Sequence, residues 1–524
     1  MKRRDFIKVS SAAGIAGIIG PGYKALANPL SAGVEGFDLH PFIKQHPEAV
    51  FINLTSIKEK TDKQGIYDVA AKLANEIFIR TTDGTGYPNS TKVTCKPNWT
   101  CNMARVNNAT DNLGITTDLN FIEGFLTSVK NKGPQKFYLR ECACAHEWPV
   151  NGYTAMAERN GFDLRDLASK DYWDLEKDDI VFKKVDGIVF KEVGFLAPMN
   201  AQDTFLINIA KFKAHQMGIT ASIKNLQGIT GKKFHQFCAG NFDVFKTYDK
   251  RYHQFFQPDY MARIAELQKK HAQYIPRWNS RLDRPPYGGG IWMEQWVNRM
   301  LDSLSITPTG INIVEGIYGR DGDGFSNGTD YMSNNIIFGK DPFRVDIITH
   351  WLAGHEPGNF GLFHIGIERG LSNVLDPSDI PVYIWEDGHA KLIKLDSLTR
   401  TPLRTLYLRR NYDGMDEERL HLCNEPFDYT SWKSGKKVVI DPSIHAIGTD
   451  SNEKIVMEIS VPEKSDVYVD VLNKEGEVIW RMFADGLEPG RHEVVWDGFS
   501  QPGMYSMYVK GMGWDAERQM VVFT

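Results

Sequence analysis

From about residue 90 onward, patterns typical of strands alternate with patterns typical of helices, and this alternation limits the fold more than any other feature of the chain. Apolar residues recur at helical spacing over residues 119–132, and Gly133-Pro134 ends that pattern. A short strand pattern follows at residues 136–140, and Phe205–Ile209 is apolar enough for a strand buried on both faces. We therefore expect an α/β fold, in which a parallel or mixed sheet is covered by helices.

The sequence changes character at about residue 440, where short alternating strand patterns begin to recur at a spacing of roughly ten residues. This predicts an all-β sandwich over residues 440–524. The stretch from Gly490 to Gly498, followed by Gly503-Met-Tyr505, resembles the immunoglobulin-like domain of flagellar-hook-capping proteins. That resemblance implies an immunoglobulin-like fold and no particular reaction.

A chain of 524 residues is too long for one small core, so we expect several parts. The expected division is a signal peptide at 1–27, an N-terminal extension packing on the main domain at 28–89, the α/β domain at 90–390, a connecting segment at 391–439 and the sandwich at 440–524. An aromatic and basic segment at about 240–290 interrupts the α/β pattern. It is either a lid or a helical insertion that packs on the main domain.

The N-terminus has the features of an export signal. Arg3 and Arg4 precede an apolar run from Val9 to Ile19 and an A-x-A cleavage site at Ala25–Ala27. The paired arginines resemble a twin-arginine signal, which predicts a periplasmic or extracellular protein exported in the folded state. Such export often accompanies a cofactor, but the sequence names none. No later segment has 18 apolar residues, so we expect no integral membrane span in the mature form.

The distribution of charge points to a small anionic ligand. The formal net charge of −5 argues against a nucleic-acid partner. Yet no Asp or Glu occurs between Thr204 and Phe242, a window that carries these basic residues: Lys211, Lys213, His215, Lys224, Lys232, Lys233 and His235. We expect them beyond the carboxyl end of a strand, where α/β folds bind ligands. The alternative is a set of solvated lysines paired with acids from elsewhere.

Several motifs in this region resemble the family known as domain of unknown function 362. They are Lys96-Pro97-Asn98, Asn208-Ile-Ala-Lys211-Phe-Lys213-Ala-His215, Thr220-Ala-Ser-Ile-Lys224-Asn225-Leu-Gln-Gly228, Asn312-Ile-Val-Glu315-Gly316 and Gly339-Lys-Asp341-Pro342-Phe-Arg-Val-Asp346. The resemblance covers about residues 90–375. It implies a fold and a set of pocket residues, which we take to be Lys96, Asn98, Lys211, Lys213, Asn225 and Glu315. Some members carry repeated C-x-x-C motifs of iron–sulfur proteins, which this sequence lacks.

His215 and Lys224 are the candidate catalytic residues. A histidine titrates near neutral pH, and repulsion from Lys211 and Lys213 would favour Lys224 as a base or a covalent amine. The spacing of His215 and Lys224 is also faintly similar to that in the nickel-pincer lactate racemase family, in which a lysine carries the cofactor. The alternative for His215 is a structural hydrogen bond to a loop carbonyl.

Two further groups of residues could carry chemistry. The loop from Asp321 resembles a calcium-binding loop, but Phe325 and Met332 occupy positions where such a loop needs ligands. We therefore expect a turn that brings Asp321 and Asp323 to the rim of the pocket. Weak candidates for a metal site are Cys142, Cys144 and His146. Thiols or a disulfide are the alternative for the two cysteines.

The sequence is compatible with three functions. The first is an exported enzyme that acts on a carboxylate, a phosphate or an acidic sugar through His215 and Lys224. The second is a ligand-binding or scaffolding protein without turnover, in which the sandwich docks a protein partner. The third is a redox protein that uses Cys142 and Cys144. No G-x-S-x-G, H-E-x-x-H, P-loop or G-x-G-x-x-G string favours a further class of enzyme.

Overall fold

The computed structural model describes residues 33–100, 113–168, 170, 174–215, 218–231, 250–265, 289–322, 328–403, 405–410, 416–421, 427–434, 442–449, 454–498, 503–511 and 513–522. The predicted signal peptide at 1–27 and most of the segment at 240–290 lie outside these residues. The described residues confirm the fold class, because a mixed sheet flanked by helices is followed by antiparallel sheets built from strands alone.

The α/β part contains short and long strands in the following order. They are β1 (Gly36–Leu39), β2 (Val50–Leu54), β3 (Phe78–Thr81), β4 (Tyr87–Pro88), β5 (Lys92–Pro97), β6 (Lys136–Leu139), β7 (Asp163–Leu164), β8 (Ile180–Lys184), β9 (Glu192–Leu196), β10 (Thr204–His215), β11 (Gly218–Thr220), β12 (Ile311–Arg320), β13 (Asp330–Gly339), β14 (Val382–Glu386) and β15 (His389–Ile393).

The described helices flank this sheet and its C-terminal extension. They are α1 (Pro41–Gln45), α2 (Lys63–Ile77), α3 (Leu119–Lys130), α4 (Tyr153–Asn160), α5 (Ser222–Leu226), α6 (Gly289–Leu304), α7 (Pro342–Leu352), α8 (Gly361–Glu368) and α9 (Tyr429–Lys433). None of them is both long enough and apolar enough to cross a membrane.

The main sheet has the strand order β15-β14-β2-β13-β12-β10-β5-β6-β7, with β11 paired to the end of β10. The central strands lie side by side in the order β12, β10, β5 and β6, and they run parallel to one another. Strand β13 is antiparallel to both of its neighbours, β12 and β2. From β5 the chain passes through α3 to β6 on one side. From β10 it passes through α5 and α6 to β12 on the other side. The strand order therefore reverses between β5 and β10, and open α/β sheets bind ligands outside the carboxyl ends of such strands.

Side chains that alternate along the strands form a separate apolar core on each face of the sheet. In β13, Ile336 and Phe338 pack into the core that contains α2 and α3, while Ile337 packs into the core that contains α5 to α8. Helices α2 and α3 approach closely at Gly124, where a Cβ atom would lie 2.3 Å from the carbonyl oxygen of Tyr67. The faces can thus be told apart by the residues that each strand contributes to them.

Residues 28–89 contribute directly to the main sheet. Strand β2 lies in the interior of that sheet, between β13 and β14, and pairs with both. The same part of the chain forms a small antiparallel sheet in the order β3-β1-β4. The segment that the sequence suggested as an extension therefore supplies an interior strand.

Strand β10 is longer than its apolar run indicated. The run predicts a strand over Phe205–Ile209, but the strand continues to His215 and contains Lys211 and Lys213. These cations were expected beyond the strand, and the structure corrects that expectation. The strand can continue because β12 and β11 pair with its final residues.

The C-terminal strands form two antiparallel sheets that share one core. Strands β16 (Thr405–Arg410) and β17 (Asp416–His421) make a separate hairpin before them, and the sandwich strands are β18 (Ser443–Thr449), β19 (Ile455–Val461), β20 (Ser465–Leu472), β21 (Val478–Leu487), β22 (Gly490–Trp496), β23 (Gly503–Gly511) and β24 (Trp514–Val522). The sheets have the orders β18-β19-β22 and β21-β20-β23-β24. Met457, Val469 and Trp496 belong to a single buried cluster with residues from both sheets, which is the arrangement of a β-sandwich.

Candidate functional site

Lys96, at the carboxyl end of β5, is buried and fully engaged in hydrogen bonds. Its Nζ donates to Glu141 Oε2 at 2.7 Å and to Asn225 Oδ1 at 3.0 Å. Glu141 also accepts hydrogen bonds from the backbone N–H groups of Trp99 and Cys142. The positive charge of Lys96 is therefore neutralised within the protein, and its role is to hold the ends of β5 and β6 against α5.

A row of asparagine side chains, which we call the asparagine chain (Asn98, Asn225, Asn208 and Asn312), runs from the carboxyl end of β5 across β10 to β12. Asn98 Nδ2 donates to Asn225 Oδ1 at 2.8 Å, and Asn225 Nδ2 donates to Asn208 Oδ1 at 2.8 Å. Asn208 Nδ2 then donates to Asn312 Oδ1 at 2.9 Å. All four residues are buried. The chain fixes α5 against β5, β10 and β12, because every amide in it donates and all but that of Asn98 also accept.

Lys224 lies on α5 beside the asparagine chain and differs from Lys96 in its surroundings. The residue is only 9% exposed, yet no described residue accepts a hydrogen bond from its Nζ or forms an ion pair with it. Buried ammonium groups are normally paired, since removing one from water without a partner is costly. Lys224 therefore presents a positive charge that the described part of the protein leaves uncompensated.

Two neutral polar atoms near Lys224 are also buried without a partner among the described residues. Gln227 stands three residues further along the same helical turn, and its Oε1 accepts a hydrogen bond from Trp296 Nε1 while its Nε2 is unpaired. At the end of β5, Asn98 directs its amide nitrogen to Asn225 and leaves Oδ1 unpaired. A cationic donor, a neutral donor and a neutral acceptor thus occur around α5, a combination suited to a ligand that carries an oxyanion.

Lys211 lies on the opposite face of β10 and is paired. Its Nζ donates to Glu315 Oε2 at 2.6 Å and lies 3.6 Å from the centre of the Tyr318 ring. Tyr318 in turn donates its hydroxyl hydrogen to Asp118 Oδ2 at 2.5 Å. Burial raises the pKa of Glu315, and the neighbouring Lys211 opposes that shift. The absence of acids between 204 and 242 did not indicate this pairing, because Glu315 comes from the adjacent strand β12.

The predicted pocket residues are accordingly divided between the two faces of the sheet. Ile209 packs into the core that contains α3, and Ala210 packs into the core that contains α5. Lys211 contacts Glu315, and the Nζ of Lys213 donates to the carbonyl oxygen of Ile115, just before α3. The two lysines therefore lie on the α3 side, away from Lys224. This arrangement does not provide the repulsion that was expected to activate Lys224.

His215 ends β10 next to the α5–α6 side of the sheet. Its backbone N–H donates to Thr405 Oγ1 at 3.1 Å, and its ring packs edge-to-face on Trp296 with 5.5 Å between ring centres. Trp296 connects this position to Gln227 on the same side. Lys224 makes no hydrogen bond to His215 in the described part of the chain, so the structure does not link the two expected catalytic residues directly in this way.

Of the two aspartates expected at the rim of the pocket, Asp321 and Asp323, the structure describes only the first. Asp321 follows β12, and its backbone forms a pair of hydrogen bonds with Thr329 across the β12–β13 turn. Asp323 lies outside the described residues. In the same turn, Arg320 forms a 2.6 Å ion pair with Asp330 and so stabilises the hairpin.

The cysteine region is organised around a disulfide. Cys144 is disulfide-bonded, whereas Cys142 is a buried thiol, so the two cysteines are not disulfide-bonded to each other in the structure. His146 is exposed, with its Nε2 3.9 Å from Glu147 Oε1. No group of three or more His, Cys, Asp or Glu residues suited to a metal ion occurs within the part of the chain that the structure describes.

Sequence reasoning did not single out Glu141, Asn208 or Asn312 as site residues. Asn208 carried a usable signal, because it is the polar residue within the apolar run Phe205–Ile209, and a buried amide requires partners. Glu141 gave no such signal, since its pairing with Lys96 depends on the parallel contact between β5 and β6.

Together, the fold and the site define an α/β protein with a polar cluster at the point where its strand order reverses. The model of the family described as domain of unknown function (DUF362) matches residues 93–350, which contain the asparagine chain, Lys224 and the Lys211–Glu315 pair. This part of the chain therefore belongs to that family. Comparison with curated proteins finds no match. Because the family description names no activity, the function has to be argued from the site.

Proposed function

We propose that the protein binds a small anionic molecule at Lys224, beside the carboxyl end of β5 and the middle of β10. The observation that carries the proposal is Lys224 itself, a residue only 9% exposed whose Nζ has no acceptor among the described residues. An oxyanion would supply the missing counter-charge through a charge-assisted hydrogen bond. The ligand class is a carboxylate, a phosphate or an acidic sugar.

The neighbouring groups support an anion at this position. Glu141 neutralises Lys96 and Glu315 neutralises Lys211, so neither acid is left to compensate Lys224. Gln227 Nε2 offers a second donor, and Asn98 Oδ1 can accept from a hydroxyl of the ligand. The proposed site adjoins β5 and β10, between which the strand order of the sheet reverses, and open α/β sheets usually bind ligands at such a point.

The effect of sulfate on thermal unfolding tests the proposal. Sulfate should raise the melting temperature of the parent protein above that in chloride of equal ionic strength, because a ligand that binds the folded state stabilises it. At about 100 times its Kd, the gain would be about 2.7 kcal/mol. Lys224→Met should remove most of this gain, since it deletes the charge and keeps the apolar stem.

Lys391→Met is the matched control, because Lys391 is exposed on the edge strand β15. This variant should respond to sulfate as the parent does. If Lys224→Met and Lys391→Met both retain the full response, the ion binds elsewhere and the proposal fails.

We also propose that the protein acts outside the cytoplasm after export through the twin-arginine pathway. The paired Arg3 and Arg4 support this, and so does the disulfide at Cys144, since disulfides persist mainly in oxidising compartments. Changing both arginines to lysine should hold the protein in the cytoplasm, as measured by cell fractionation. Unchanged delivery of that double variant to the periplasm would contradict the proposed route.

A further inference from the structure

Helix α7 holds the backbone segment that leads into Lys224 and Asn225. Asp346 accepts two backbone hydrogen bonds at the start of α5, from Ser222 N to Oδ1 at 2.7 Å and from Ile223 N to Oδ2 at 2.9 Å. One turn further along α7, His350 Nε2 accepts from the backbone N–H of Ile219 at 3.2 Å. The two side chains thus fix residues 219–223 by their backbone, immediately before the residues that form the anion site.

The hydrogen bonds define the protonation states that this attachment needs. His350 Nδ1 lies 2.7 Å from the carbonyl oxygen of Asp346, so Nδ1 carries the hydrogen and Nε2 is left as the acceptor. Asp346 uses both carboxylate oxygens as acceptors. Protonation of Asp346 would convert one oxygen into a donor, and that oxygen would then face a backbone N–H that is itself a donor.

We propose that Asp346 is the positioning residue of the Lys224 site and that anion binding is lost when its carboxylate becomes protonated. The inference rests on the proposed function and adds a regulatory property to it. Asp346 touches no ligand; it acts by fixing the start of α5 and thereby the placement of Lys224 and Asn225.

The electrostatic surroundings set the pH range of this effect. Burial raises the pKa of Asp346 to about 7, against the opposing effect of the hydrogen bonds from Ile223 and Ser222. The like charge of Asp341, at the start of α7, contributes to this increase. The packed strands β2 and β11 contain no charged residue. The other charged or titratable groups on packed elements are His350 and Arg344 on α7, Lys224 on α5, Tyr318 on β12, Tyr331 on β13, Glu315 paired with Lys211, Arg320 paired with Asp330, and Asp379 paired with Lys433.

The direction in which anion affinity changes with pH distinguishes this inference from a general effect of the protein's net charge. Lowering the pH adds positive charge to a protein, which by itself strengthens the binding of an anion. Loss of the Asp346 carboxylate should instead weaken binding, because only the fraction of molecules with an ionised Asp346 holds α5 in place. For a group that titrates near pH 7, that fraction is roughly tenfold smaller at pH 6 than at pH 8.

The experiment measures sulfate affinity by calorimetry at pH 8 and pH 6, with sulfate chosen because it does not titrate in this range. The parent protein should bind about tenfold more weakly at pH 6. Asp346→Asn mimics the protonated acid, so it should bind weakly at both pH values, and hydrogen exchange at Ser222 and Ile223 should be faster than in the parent. Asp341→Asn removes a carboxylate from the same helix and should keep the parent affinity at pH 8.

The outcomes that overturn the inference differ from those that overturn the proposed function. If the parent binds sulfate equally well or better at pH 6, Asp346 does not position the site, whatever the variants do. The same conclusion follows if Asp346→Asn keeps the parent affinity at pH 8. If the parent binds no sulfate at either pH, the proposed function fails and this inference fails with it. Because the parent profile alone can decide, the test does not depend on the folding of a variant.

Discussion

The Lys211–Glu315 pair shows how individual buried charges are maintained in this protein. Both side chains are fully buried, and Glu315 also accepts backbone hydrogen bonds from Asp118 and Ile317. Removing two charges from water is costly, and their attraction offsets that cost only with good geometry and additional hydrogen bonds. Removal of one partner therefore leaves the other charge without compensation.

Lys211→Met should lower the free energy of unfolding by about 3–5 kcal/mol at pH 8, because it leaves Glu315 ionised and unpaired. Burial raises the folded-state pKa of Glu315, so ionisation of this group on raising the pH destabilises the folded protein. Loss of Lys211 raises that pKa further. The deficit of the variant relative to the parent should thus be smaller at pH 5 than at pH 8, as measured by urea unfolding.

Lys391→Met provides the reference for this measurement, since its exposed side chain should make the change nearly neutral at both pH values. A deficit of Lys211→Met that is the same at pH 5 and pH 8 would mean that Glu315 does not respond to the loss of its partner.

The sequence indicated which residues around the site are unusual but not how they pair. It singled out Lys96, Asn225, Lys211 and Glu315, and all four are buried. The pairing of Lys211 with Glu315 follows from the parallel register of β10 and β12, which places these two residues opposite each other. A search for acids close in sequence misses such a partner, because register is a property of the folded sheet.

At the level of elements, local sequence patterns predicted those strands and helices whose ends carry a clear sequence signal. The apolar period over 119–132 corresponds to α3 at Leu119–Lys130, where Asp118 accepts the backbone N–H groups of Asn120 and Phe121. Strand β10 was predicted too short because its apolar run ends before Lys211. Local hydrophobicity cannot indicate that a lysine remains inside a strand, since that depends on a partner from elsewhere.

Local sequence patterns also did not predict which strands of the main sheet are antiparallel. The alternation of strands and helices predicted a parallel or mixed sheet without deciding between them. The position of β2 between β13 and β14 joins residues that are far apart in sequence. Strand order of this kind is decided by long-range packing on both faces, which the pattern of a single segment does not contain.

At the scale of the whole molecule, the α/β part and the sandwich have separate hydrophobic cores. The two large clusters and one small cluster of the α/β part draw on residues from Phe37 to Leu403, whereas the sandwich cluster draws on residues from Ile444 to Val509. No residue is shared between the sandwich cluster and the other three. A domain with its own core can in principle fold alone.

The isolated fragment 440–524 should therefore unfold cooperatively on heating. Trp496 is 1% exposed, so its fluorescence should have a buried emission maximum that shifts to longer wavelength in the same transition. A fragment whose far-ultraviolet circular dichroism is that of a disordered chain would place the boundary of the sandwich elsewhere.

The most direct test of the central claim is the location of a bound oxyanion. Crystals soaked in selenate, a sulfate analogue with a strong anomalous signal, would show where the anion binds. We expect an anomalous peak whose oxygens lie at hydrogen-bond distance, about 2.7–3.2 Å, from Lys224 Nζ, and no such peak in Lys224→Met. Selenate at exposed lysines alone, with none at Lys224 in the parent protein, would contradict the proposed anion site.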